Sequence, residues 1–131
     1  MARSLTPFLM FEGTAEQAIT FYVSLFPRSE LRQVERWKAG EPGPEGSFKR
    51  ADFTVAGRDL IAFDSPVKHE FTFTPSVSLF VECESEAELN AAYTQLSKDG
   101  QVLMPLDNYG FSRKFGWVND RFGVSWQLNW A

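Results

Sequence analysis

The feature that most constrains the fold is a pair of capped amphipathic helices set a constant seventy-one residues apart. In the first, Ala15, Ala18, Ile19, Tyr22, Val23 and Phe26 form an apolar stripe of helical period. Thr14 and Gln17 stand before it as a capping box, and Pro27 stops it. In the second, Ser85 and Glu88 form the box and Leu89, Ala92, Tyr93 and Leu96 the stripe. Gly100 stands where a C-terminal glycine is expected. Thr14 aligns with Ser85, Gln17 with Glu88, Tyr22 with Tyr93 and Leu25 with Leu96, while Met10 aligns with Val81 upstream. Agreement of cap and stripe in phase identifies one unit used twice.

The intervening segments carry strand patterns. Residues 5–11 and 77–83 each precede a helix; 29–37, 47–56 and 58–64 follow the first, and 101–106, 111–118 and 124–130 follow the second. Turns fall at Gly40-Glu41-Pro42-Gly43-Pro44, at Gly57, at Asp107-Asn108-Tyr109-Gly110 and at 119–123. The expected fold is α+β, with two tandem βαβββ modules at about 1–66 and 75–131. A polar connector over 65–74 joins them, and 131 residues is one domain's length.

Composition removes several functional classes. Thirteen Lys and Arg against 17 Asp and Glu give a net charge of −4, so neither nucleic acid nor an anionic membrane is an expected partner. No apolar run reaches the ~18 residues of a membrane span, and the N-terminus lacks a signal-peptide core. One cysteine, Cys83, forms no internal disulfide and fits a reducing, cytoplasmic compartment. With one histidine, His69, the chain assembles no three-histidine or zinc-finger site.

Strand alternation locates a candidate binding face. Val124, Trp126, Leu128 and Trp130 point one way, and Ser125, Gln127 and Asn129 the other. In the strand opening the second half, Ser76, Ser78, Phe80 and Glu82 oppose Val77, Leu79, Val81 and Cys83. Hydroxyl and amide groups where a solvent face usually carries Lys and Glu suit a concave, hydrogen-bonding surface; mutual pairing or water would also satisfy them. Trp117 offers a stacking wall or a core contact, and Tyr109, Phe111 and Arg113 could line the site mouth, with Arg113 attracting an anionic group. Asp64 is a turn cap or a general base on the pocket side. His69 is expected in a solvated loop, and Cys83 as a buried thiol flanked by Glu82 and Glu84.

The strings Pro7-Phe8-Leu9-Met10-Phe11-Glu12-Gly13, Ala18-Ile19-Thr20-Phe21-Tyr22, Ser78-Leu79-Phe80-Val81-Glu82-Cys83 and Phe115-Gly116-Trp117-Val118-Asn119-Asp120 resemble the vicinal oxygen chelate superfamily. The end, Arg121-Phe122-Gly123-Val124-Ser125-Trp126-Gln127-Leu128, continues the match. This superfamily holds glyoxalase I, bleomycin-resistance proteins and extradiol dioxygenases. The strings are closest to its PhnB-like branch, often labelled 3-demethylubiquinone-9 3-methyltransferase-like. The resemblance implies an eight-stranded cup with helices outside and, commonly, a homodimer. In metal-dependent relatives four ligands come from the first and fourth strands of each module. Those places fall here on Pro7, Ala62, Ser76 and Gln127, a set unable to hold the usual metal. The methyltransferase label implies a Rossmann-type domain with a Gly-rich loop, and the chain has no Gly-x-Gly.

These readings converge on a small-molecule-binding protein with no metal or other cofactor. Its ligand residues would be Ser76, Ser78, Trp117 and Gln127, with Asp64 and Arg113 beside them. An enzyme of unknown reaction, metal-independent or with an atypical metal site held through Gln127 and carboxylates, is the alternative. An interaction protein with an aromatic-filled cup is the third possibility.

Overall fold

The computed structural model describes residues 1–131 and divides into two compact units, Met1–His69 and Glu70–Ala131. Unit 1 runs β1 (Phe8–Phe11), α1 (Ala15–Val23), β2 (Glu30–Arg36), β3 (Phe48–Val55) and β4 (Arg58–Asp64). Unit 2 repeats the order with β5 (Leu79–Glu82), α2 (Glu86–Ser97), β6 (Gln101–Asp107), β7 (Lys114–Asn119) and β8 (Ser125–Trp130). Each sheet is four-stranded, in the order β1-β4-β3-β2 and β5-β8-β7-β6. The first and last strands of each unit pair in parallel and the other neighbours are antiparallel. The α+β class and the tandem βαβββ order therefore stand.

Strands β1 and β5 are shorter than alternation suggests. Each is a sheet edge with one partner, and the residues before it, Leu5 and Val77, are 90% and 77% exposed. In unit 1, Ala51, Phe53 and Val55 of β3 and Leu60 and Ala62 of β4 are buried on the side that meets α1. Ala15, Ala18, Ile19 and Tyr22 are the buried residues of α1. In unit 2 the corresponding layer is Val118, Trp126 and Leu128 against Leu89, Ala92 and Leu96. Trp126 is only 1% exposed, and its indole donates to Asp120 Oδ2 at 2.9 Å. It is core, not the spare surface that its size alone suggests.

The two helix starts are capped by different means. Ser85 accepts from Glu88 N at 3.1 Å, and Glu88 accepts from Glu84 N at 3.0 Å, so the second box forms. Thr14 makes no side-chain cap. There the Asp64 carboxylate, from the end of β4, accepts from Gly13 N and Ala15 N, both at 3.0 Å. A long-range cap has replaced the local one, because Gly13 at φ +107° turns these N–H groups toward β4. Helix α1 stops at Val23, short of Pro27, although Phe26 stays buried.

The constant spacing holds for the helices but not for the strands before them. Met10 pairs with Phe63, in the row away from α1. Val81 pairs with Leu128, in the row beneath α2. Phe8 and Phe80, each 55% exposed on the side away from the helix, are the true counterparts. The strands are thus offset by seventy-two residues, one more than the helices. Unit 1 absorbs the extra residue at Gly13.

At the end of α2 the left-handed residue is Asp99, at φ +57°, and not Gly100. Gly100 is required for a different reason: a Cβ there would collide with the backbone carbonyl of Asn119, at the Gln101–Asn119 register that starts the β6–β7 pair. Backbone cannot rotate aside as a side chain can. Gly100→Ala should therefore cost about 1–3 kcal/mol, seen as a lower urea midpoint; an unchanged midpoint would refute the contact.

Candidate functional site

The side of the unit 2 sheet away from α2 carries the residues that sequence alternation singled out. Its rows follow from the register. One holds Phe80, Gln127 and Trp117, with Met104 beyond, and a second holds Glu82, Asn129, Phe115 and Asp107. A third pairs Ser125 with Asn119, and Ser78 lies one step before β5.

Ser78, Trp117 and Gln127 are brought together, with Ser125 as the hub. Ser78 Oγ and Ser125 Oγ lie 2.7 Å apart; the Trp117 indole donates to Ser125 Oγ at 2.8 Å, and Gln127 Nε2 donates to Ser78 Oγ at 3.3 Å. Ser125 is 1% exposed, so the hub is inaccessible while Trp117 and Gln127 are half-buried around it. The arrangement holds the indole plane and the amide of Gln127, whose nitrogen is engaged by Ser78 and whose carbonyl oxygen is by its chemistry an acceptor. Every member is neutral, so the network supplies orientation and hydrogen bonds but no titrating group.

The other expected site residues go elsewhere. Ser76 Oγ lies 2.7 Å from Thr74 Oγ1, in the exposed stretch before β5. Arg113 donates to the Ala131 carbonyl at 2.7 Å and lies 3.8 Å over the Trp130 ring, so it secures the C-terminus. Asp64 is on the α1 side of its sheet, not the open side, and holds the turn into α1. Burial raises its carboxyl above the ordinary value, and the N–H groups of Gly13, Ala15 and Thr14 only partly offset this. His69 lies in the connecting loop, half-buried, with its Nε2 2.9 Å from Ser65 Oγ. Burial, with Glu88 and Glu82 behind it, pushes the Cys83 thiol up to about 12.

Tyr109 and Phe111, expected with Arg113 at the mouth of the site, join Phe115, which was not singled out, in an aromatic group at the end of this face. Phe115 is 4% exposed and packs edge-on against Phe111 at 5.0 Å and Tyr109 at 6.2 Å, with Phe80 6.4 Å away. The signal available was the density of rings at Tyr109, Phe111 and Phe115 beside a turn.

The unit 1 open face is of another kind. Its charges pair among themselves, Arg32 with Asp59 at 2.9 Å and Arg50 with Asp52 at 3.3 Å, all exposed. The row equivalent to Phe80–Gln127 is Phe8–Ile61. Ala62, taken above as a ligand position, is fully buried on the α1 side. Of the four expected ligand places, Pro7 and Ala62 offer no donor and Ser76 is held by Thr74 in the exposed stretch before β5, so with Gln127 alone these residues do not fit the metal of metal-dependent relatives.

The chain is two βαβββ modules, each with its first and fourth strands paired in parallel beside one helix. The model of the 3-demethylubiquinone-9 3-methyltransferase family matches residues 3–129, and the chain belongs to that family. It is 50% identical to the PhnB protein from Bacillus cereus, covering 98% of this chain and 100% of that one, with a TM-score of 0.94. Protein YjdN of Escherichia coli (strain K12) is 23% identical, over 95% of this chain and 93% of its own. The fold extends to a mutant of the fosfomycin resistance protein FosX from Listeria monocytogenes, at 13% identity, 98% and 93% coverage, and a TM-score of 0.63. That mutant was crystallised with manganese(II) and 1S,2S-dihydroxypropylphosphonic acid.

The raised carboxyl of Asp64 has a signed consequence. Just above pH 3.8, its ordinary value, the folded state holds this proton more tightly than the unfolded state, so stability from this group falls as pH rises. Asp64→Asn keeps an acceptor for Gly13 and Ala15 and removes the charge. Urea titrations from pH 3.5 to 7 should show the wild-type minus Asp64→Asn difference moving against wild type as pH rises. Asp64→Ala should cost about 1–3 kcal/mol throughout. A difference moving the other way would show that the N–H groups outweigh burial.

Proposed function

We propose that this chain is a small-molecule-binding protein of the PhnB-like branch, with its ligand on the unit 2 open face. The observation that carries the reading is the bonded set Ser78–Ser125–Gln127–Trp117, which presents a neutral acceptor and an indole held in place. Such a surface binds by shape, stacking and a few oriented hydrogen bonds. Ser76 and Arg113 take no direct part in this reading, and Asp64 acts only through the fold. The family name suggests methyl transfer, yet neither unit is the alternating parallel layout of a Rossmann-type S-adenosylmethionine domain. Absent donors at Ile61 and Ala62 support function without a resident transition metal. Homodimerisation is supported by exposed rings outside that face, with Phe8 and Phe71 at 55% and 65%. The cytoplasm is the compartment we assign on the strength of the unpaired thiol. No helix is long and apolar enough to cross a membrane.

A thermal-shift screen followed by titration tests the site. Gln127→Ala and Trp117→Ala should each weaken a ligand found in this way by roughly 5- to 150-fold. His69→Ala and Cys83→Ala should leave it within about twofold. Loss of turnover in His69→Ala or Cys83→Ala, with Gln127→Ala binding normally, would replace this reading with the enzyme. Native mass spectrometry of the protein as purified should give a two-chain mass without added metal. A one-chain mass at high micromolar concentration would reject the dimer, and one manganese, iron, nickel or zinc per chain would reject the metal-free site.

A further inference from the structure

We infer that the unit 2 open face selects ligands that pair a flat apolar body with a cationic nitrogen, the cation lying at Glu82 and Asn129. This rests on the reading that the face binds a small molecule, and it adds the sign of that molecule's charge. One row of the sheet runs Glu82, Asn129, Phe115, Asp107, so a carboxylate stands at each end with an aromatic ring between. Glu82 is exposed yet held: Asn129 Nδ2 donates to both of its oxygens, at 3.2 and 3.0 Å. Asn129 itself is 6% exposed, and its Oδ1 is buried without any hydrogen-bond partner. A buried acceptor left bare is costly, so the Asn129 amide gains by turning outward, where an N–H of a ligand ammonium set against Glu82 would supply the missing donor. Beside this pair, Phe80 and Phe111 are 55% and 63% exposed and flank Phe115, ready to carry an apolar or aromatic body and to face a cation.

An organic anion finds no counter-charge here. Arg113, the cation nearest this end, is committed to the Ala131 carbonyl and the Trp130 ring. Lys114 is committed to Glu86 and Asn90 of α2. The remaining charges of the row, Glu82 and Asp107, are both negative. Neutral hydrogen bonding at Gln127 and negative charge at Glu82 therefore separate the two ends of the ligand along the sheet.

Three probes sharing a phenyl ring test the sign: 2-phenylethylamine, 3-phenylpropan-1-ol and 3-phenylpropionate, each titrated against the full chain by calorimetry or ligand-observed NMR. The amine should bind at least about tenfold tighter than the carboxylate, with the alcohol between. Glu82→Gln should bring the amine to within about threefold of the alcohol and leave the alcohol unchanged. Raising salt should weaken the amine alone. If the carboxylate binds as tightly as the amine, or Glu82→Gln leaves the amine unaffected, the charge inference is overturned. The binding reading then survives provided Gln127→Ala still weakens the alcohol. Failure of all three probes to bind at millimolar concentration overturns both.

Discussion

The parallel pairing of the first and last strand in each unit is the constraint on which the rest depends. Parallel neighbours cannot be joined by a tight turn, so the chain must leave β1, cross over through α1 and return by way of β2 and β3 before it reaches β4. That crossover places the helix on one side of the sheet only. One face of each sheet is then committed to the core, and the other is released from packing duty. Trp126 and Leu128 therefore alternate with Ser125 and Gln127 along a single strand.

What each released face has become differs between the units. In unit 1 the charges are paired off in exposed ion pairs, which contribute little to stability and leave little to recruit a neutral ligand. In unit 2 the same positions hold hydroxyl, amide and indole groups bonded to one another. Duplication supplied two equivalent surfaces, and the neutral hydrogen-bonded groups lie on one of them.

Where periodicity decides structure, the sequence was legible. The two helices, their order among eight strands, and the opposition of Trp126 to Gln127 all follow from spacing. Alternation also set Ser78 and Gln127 on one side of the unit 2 sheet, whereas Trp117 was read from its residue type and joins them through the register. Failures occurred where a distant residue decided the outcome. Thr14 looks like a cap locally, but Asp64, fifty residues away in the chain, takes the N–H groups. Asp64 in turn looks like a pocket residue until its row is fixed by register. The slip between Met10 and Val81 shows the same limit: one extra residue at Gly13 turns every side chain of β1 to the other face. Arg113 was drawn away by the chain end, a partner no spacing rule anticipates.

Cys83 gives the fold a practical property. With burial and the neighbouring carboxylates pushing its thiol up to about 12, the reactive thiolate is scarce at pH 7. The side chain is also only 6% exposed. The native protein is therefore a silent background for cysteine chemistry. A second cysteine placed on an exposed turn would take a fluorophore or spin label alone, with no need to mutate the residue already there.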